Sequence, residues 1–275
     1  MRTILAQRVA STNVDRIGEC VSRPFLENYA NALKGVRQPL HDKHDMARPT
    51  VGFVENYRVE PDDRNPGEWV LLADVHIEDG IPLEDYGGFS VSGVEMIHEP
   101  EIADARLLIA YPYYADQALV RELCDVPALD VGKWIRKGAE EFQWGVLFGS
   151  LLAFAVTPIW DDVYKRKIAP RIDQLLDLYL TKLQPKGVGA EVIQQLVFQD
   201  TAIEVRFIPE RGSESTCLRS EVIATGLKTV VEFLTQDRKS SDVGVRRIVV
   251  FYDRGKSGYA LHRVEYADGT VKHVA

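Results

Sequence analysis

The chain has 275 residues, 45% of them hydrophobic and 27% charged, with a formal net charge of -8. That composition excludes wholesale disorder and fibrous architecture, and the length suits one large domain or two ordinary ones. The acidity excludes a surface that binds nucleic acid through clustered Lys and Arg, and it belongs to the front of the chain: residues 1–100 hold 10 Lys and Arg against 17 Asp and Glu, the rest 23 against 24.

Residues 1–105 read as a β-rich domain. ILAQRVA, TVGFVENYRV, EWVLLADVHI and GGFSVSGVEMI carry strand-like patterns, and a helix is expected near 24–34. PDDRNPG at 61–67 holds two prolines, an Asn and a Gly between two apolar runs, which is the chemistry of a loop between antiparallel strands. The opening MRTILAQRVASTNVDR has a three-residue apolar run before Gln7 and Arg8, so no cleaved signal peptide is expected. Cys20, Cys124 and Cys217 form no CxxC pair; this suits a reducing, cytoplasmic setting and supplies neither a zinc site nor a disulfide framework.

Residues 106–185 read as a helical connector. DQALVRELCDV and DVGKWIRKGAEEF carry apolar residues at mixed three and four spacing, interrupted by Pro127. WGVLFGSLLAFAVTPIW, from Trp144 to Trp160, is uncharged over 17 residues, about 25 Å if helical and just short of a comfortable bilayer crossing. Tryptophans at both ends and YKRK at 164–167 are arranged like an aromatic belt beside a cytoplasmic basic cluster. A buried core helix or an oligomer contact accounts for the same run, so membrane association through 144–160 is one of three readings. IAPRIDQLLDLYLTKL follows as an amphipathic helix begun by Pro170 and ended by QPKGVG.

Residues 186–275 read strand (VIQQLVF), strand (AIEVRFI), helix (SEVIATGLKTVVEFLTQ), strand (VRRIVVFYD), strand (YALHRVEYA) and a short VKHV, a two-layer α+β domain. The expected fold class is therefore α+β: a β-rich front domain over 1–105, a helical middle over 106–185 with a long apolar helix at 144–160, and a C-terminal α+β domain over 186–275.

Several residue patterns bear on chemistry. GKS within DRGKSG lacks the earlier glycine of a phosphate loop, because Val250 stands there; Gly255 and Gly258 are expected as turn residues with positive φ. HDKH spaces His41 and His44 by three, as a helical metal pair would, but Pro39 before it and RPTVG after it argue for a loop or strand, so no metal is expected. A hydrolytic site needs a hydroxyl nucleophile, an imidazole and a group that orients the imidazole. Ser90 and Ser92 lie in GGFSVSG, where strand alternation puts both on one face and the glycines allow a substrate backbone to approach. His44 precedes them, and Asp74, His76 and Glu78 alternate along one face of EWVLLADVHIED. Any half-exposed strand shows the same alternation.

Over residues 8–98 the chain resembles the phage prohead (capsid maturation) serine proteases, relatives of the herpesvirus assemblins. The landmarks are STNVDRIGECV at 11–21, the HD…P…G order within RQPLHDKHDMARPTVGFV at 37–54, and FSVSG at 89–93. The resemblance implies His44 as catalytic histidine, Ser90 as nucleophile and Asp74 as third member, with His76 its alternative. Ser92 stands where the family usually has Gly, which leaves Ser90 and Ser92 as competing nucleophiles.

The expectation that follows is a serine endopeptidase acting on a protein substrate, needing no cofactor, with partner or assembly specificity set by the C-terminal region. The alternative is a catalytically inactive protease-like sensor or scaffold that binds a phage or host protein and oligomerises or docks at a membrane. A homo-oligomer is expected in either case.

Overall fold

The computed structural model describes residues 1–15, 18–41, 50–80, 91–101, 103, 105–137, 146–150, 164–199 and 201–274. They divide into two compact units, residues 1–95 with 134–142 and residues 96–133 with 143–275. The chain is mixed α+β.

The first unit is built on a four-stranded antiparallel sheet of order β1-β4-β3-β2, formed by β1 (Arg2–Ser11), β2 (Gln38–His41), β3 (Thr50–Pro61) and β4 (Trp69–Ile77). Helix α1 (Arg23–Ala32) starts at Ser22, whose Oγ accepts from the Phe25 N–H at 3.2 Å, with Pro24 in the first turn; both features favour a helix start. Alternation along β4 separates two faces. Leu71, Ala73, Val75 and Ile77 are buried in one core with Phe25 and Leu26 of α1, so Leu72, Asp74 and His76 stand on the opposite face.

The β3–β4 loop is organised by the buried Asp62. Its carboxylate accepts from the Arg64 N–H at 2.9 Å, from Asn65 Nδ2 at 2.9 Å, from Arg8 Nη1 and Nη2 at 2.6 Å each, and from Asn13 Nδ2 at 3.1 Å. The Arg8 guanidinium, followed by Asn65, holds the Asp62 carboxyl far below the usual carboxylate range. Thr12 adds to the same junction by accepting from the Trp69 N–H at 2.9 Å and donating to Glu68. The described part of STNVDRIGECV thus fastens the end of β1 to the β3–β4 loop.

The second unit contains β6 (Ala105–Ala110), α2 (Gln117–Cys124), β8 (Val146–Ser150), a helical stretch from Tyr164 to Lys186 that includes α3 (Ala169–Leu178), β9 (Ala190–Phe198), β10 (Thr201–Ile208), α4 (Glu214–Cys217), α5 (Ser220–Gln236), α6 (Arg238–Val243), β11 (Val245–Asp253), β12 (Gly258–Tyr266) and β13 (Val271–His273). Two further strands, β5 (Val91–His98) and β7 (Leu129–Lys137), are crossed by the boundary between the units. The nine-stranded order is β13-β12-β11-β10-β9-β8-β6-β7-β5. β8 pairs parallel with β9, bridged by the chain that contains α3, and β10 parallel with β11, bridged by α4 to α6. Ile172, Leu175, Leu176 and Tyr179 from the α3 stretch and Ile223, Leu227, Val230 and Leu234 from α5 share a core with Val192, Val205, Phe207, Ile248 and Val264 of the sheet.

The middle of the chain is helical at α2 and α3, as expected, but not at the two runs between them. Val146–Ser150, inside the run expected as an apolar helix at 144–160, is β8, paired antiparallel with β6 and parallel with β9; the rest of that run lies outside the described residues. DVGKWIRK is not helical but lies in β7. Among the described residues no helix is long and apolar enough to cross a membrane. In the DRGKSG turn, Asp253 Oδ1 accepts from the Gly255 N–H at 2.8 Å, and the left-handed residue is Ser257 at φ 50 rather than either glycine.

Candidate functional site

Asp74 and His76, two residues apart on β4, share the sheet face opposite α1. Asp74 Oδ1 accepts from the Ala6 N–H at 3.0 Å, Oδ2 accepts from Asn56 Nδ2 at 3.0 Å, and Arg58 Nη1 lies 3.6 Å from Oδ1. The Ala6 amide and then Asn56 hold the Asp74 carboxyl below the ordinary aspartate range, against the opposing effect of burial.

The His76 ring is flanked on three sides. Thr3 Oγ1 lies 3.0 Å from Nδ1. Glu55 Oε1 lies 3.1 Å from Nε2, close enough for an ion pair but off the line of a good hydrogen bond. Phe53 stacks on the ring at 4.4 Å between centroids and an interplanar angle of 19°. Glu55 is itself held by Arg37 Nε at 3.0 Å, and the Arg37 guanidinium sits 4.5 Å over Phe53. The face therefore presents a hydroxyl, an imidazole and two carboxylates, the residue types that proton transfer uses.

The sequence-predicted residues are distributed unevenly over this picture. Asp74 and His76 stand together on one face. His44 and Ser90 lie outside the described residues, in 42–49 and 81–90, and for Ser92 in β5 the backbone alone is described. The flanks of the two segments can be placed. His41 pairs with Thr50, Gly52 pairs with Ile77, and the Glu78 N–H donates to the Val51 carbonyl at 2.9 Å. Residues 42–49 are thus entered and left, and residues 81–90 entered, from one end of the sheet, the end nearer His76 than Asp74. Arg2 also pairs with Ile77 there, and the Met1 amino group meets Asp79 at 2.6 Å.

Gly93 of the FSVSG landmark has a packing role. A β-carbon on it would stand 2.6 Å from Cζ of Phe25, so its missing side chain accommodates α1. For metals, no group of three or more His, Cys, Asp or Glu is placed to share an ion among the described residues; of HDKH, His41 ends β2 and the other three residues lie outside the described set.

Sequence reasoning did not single out Thr3, Ala6, Glu55 or Asn56, the groups that surround Asp74 and His76. One signal was present. Asn56 interrupts the strand pattern of TVGFVENYRV, and Asn tolerates the left-handed region that a bulge requires.

No protein-family model, curated protein or solved structure matches the chain. The expected resemblance to prohead proteases therefore has the order of its sequence landmarks as its whole basis.

Proposed function

We propose that the first unit is a serine endopeptidase domain of prohead-protease type, acting on a protein substrate, with the C-terminal region setting partner or assembly specificity in a homo-oligomer. Ser90 supplies the nucleophilic hydroxyl, His44 takes its proton, and Asp74 orients the His44 imidazole and stabilises its protonated form. Asp74 is the better third member of the two candidates. Both ring nitrogens of His76 already face Thr3 and Glu55, whereas an ionised carboxylate offers about four acceptor sites, and Ala6, Asn56 and Arg58 leave part of that capacity. The observation that carries the reading is topological: the segments that contain His44 and Ser90, well separated in sequence, are rooted at one end of the sheet whose face holds Asp74 and His76.

A serine-reactive phosphonate tests it. Labelling of the full chain at Ser90, lost in His44→Ala and Ser90→Ala and kept in Ser92→Ala, is the expected result, because nucleophile and base act as a unit. Labelling at Ser92 reassigns the nucleophile. Absence of label at both serines, in every oligomeric state that light scattering resolves, overturns the enzyme in favour of a protease-like scaffold that binds a phage or host protein.

A further inference from the structure

Strand β4 runs without interruption; of the two register shifts in β1, the one between Ile4 and Gln7 sets an extra residue opposite Asp74. Ile4 pairs with Val75 and Gln7 with Ala73, so Leu5 and Ala6 together face the place of Asp74. β3 carries a bulge one step further along, where Glu55 pairs with Asp74 and Arg58 with Leu72. Each bulge holds a residue in the left-handed region, Ala6 at φ 52 and Asn56 at φ 58.

The two bulges differ in what fixes them. Side chains in a strand alternate with period two, so one extra residue inverts the facing of everything beyond it. Removing the β3 bulge would turn Glu55 toward the α1 core and bring out Val54, now buried; the hydrophobic pattern alone holds that register. Removing the β1 bulge would exchange Ile4, which packs against the core, for Leu5, which is 71% exposed. Those side chains are isomers, and the exchange changes apolar burial little. Hydrophobic patterning therefore leaves two β1 registers close in free energy, and alanine resists the left-handed conformation that the observed one requires.

We infer that Asp74 selects the register of β1: its Oδ1 captures the Ala6 N–H, Asn56 fixes the same carboxylate from the other side, and the bulge so held places Thr3 rather than Ile4 against His76. Asp74 is thus a positioning residue that acts through the backbone, and this role is independent of whether Ser90 and His44 react. In the alternative register the Thr3 hydroxyl leaves His76 Nδ1 and an apolar side chain takes its place. The hydroxyl on His76 then answers to the Asp74 carboxylate, since the Thr3–His76 contact forms in one register only.

Cross-linking in the full chain reads the register directly, with native cysteines replaced by serine and linked peptides identified by mass spectrometry. Ile4→Cys with Val75→Cys reports the bulged pairing and Leu5→Cys with Val75→Cys the unbulged one; both leave Thr3 and His76 intact. The first pair should link at least tenfold more than the second. Asp74→Ala should lower that ratio at least tenfold, Asp74→Asn should restore most of it because an acceptor oxygen for Ala6 remains, and Ala6→Gly should rescue Asp74→Ala because glycine takes φ 52 freely. Ala6→Val, with Asp74 present, tests the same bulge should Asp74→Ala not fold: a β-branched residue resists φ 52 and should raise the 5–75 link. An unchanged ratio in Asp74→Ala, or in Ala6→Val, overturns the inference. Phosphonate labelling of the same variants reports separately on the proposed reaction.

Discussion

The carbonyl oxygen of His76 lies 1.9 Å from the position a β-carbon on Gly52 would occupy, with Gly52 at φ 154. Two backbones approach there more closely than any other residue allows, and the obstacle is main chain that cannot rotate away. Gly52→Ala is therefore expected to cost about 3 kcal/mol, the top of the usual range for overpacking. Urea denaturation followed by fluorescence measures it; a loss under about 0.5 kcal/mol, typical of an unremarkable surface change, would show that β3 shifts freely. The glycine that closes the HD…P…G landmark is thus accounted for by strand packing, and its presence speaks to fold more than to chemistry.

Gly93 tests the same distinction with a softer neighbour. Its β-carbon would meet Phe25 Cζ at 2.6 Å, Phe25 Cε2 at 3.0 Å and Tyr29 Cδ2 at 3.4 Å, all side-chain atoms that can give. Gly93→Ala is expected to cost about 1–3 kcal/mol, and Phe25→Leu in that background should cost less than Phe25→Leu alone, because the smaller side chain makes room. A double-mutant cycle measures the coupling. Strict additivity would mean that the ring is not what excludes the side chain.

The rear of the chain was legible because its periods are clean. Ile203, Val205 and Phe207 alternate along β10, and Ile223, Leu227, Val230 and Leu234 recur at helical spacing along α5, so the strands and the helix were expected where they occur. The two runs between α2 and α3 were not. β7 buries Leu129, Asp130, Val131, Trp134 and Ile135, a near-continuous burial that reads like a helical run, and an uncharged stretch such as VLFGS has no period by which to separate a central strand from a helix. At the candidate site, alternation along β4 put Asp74 and His76 on one face. Their partners escaped notice because bulges in β1 and β3 break the count of two on which cross-strand pairing is read.

The reassignment of residues 146–150 has its own test. A strand paired on both edges exchanges its amides slowly, through opening of the sheet rather than by fraying. Amides of Val146–Ser150 should therefore exchange at the rates of their partners in β6 and β9, Leu107, Leu108 and Val192 among them. Exchange at the rate of a free peptide would refute the pairing.

Helix α5 receives its cap from another element. Its N-cap residue, Arg219, supplies no side-chain cap, while Asp173 of α3 accepts from the Ser220 N–H at 3.1 Å and from Ser220 Oγ at 2.9 Å. A carboxylate at that end also meets the positive end of the helix dipole. Asp173→Ala should cost about 1 kcal/mol, the usual value of a lost N-cap, and Asp173→Asn about half of that because an acceptor remains. Thermal unfolding of the three proteins would show the order; equal melting temperatures would remove the cap from the account.

Acid stability depends on a second carboxylate, Asp237, which caps α6. Burial alone would push its carboxyl up, but hydrogen bonds from Lys272 Nζ at 2.8 Å, Ser240 N–H at 2.9 Å, Ser240 Oγ at 2.8 Å and Tyr266 Oη at 2.9 Å outweigh burial and bring it down to about 2. An unfolded aspartate titrates near 3.9. Because the folded value lies below the unfolded one, the unfolded chain binds the proton first, and the stability contributed by ionised Asp237 is complete above about pH 4 and declines as pH falls toward 2. Asp237→Asn removes the titration and weakens the Lys272 contact. The variant should be less stable than the parent at pH 7, and the gap should narrow between pH 4 and pH 2 as the parent loses what the variant never had. Urea midpoints measured across that interval decide it: two curves that remain parallel down to pH 2 would mean that another carboxylate governs the acid limb.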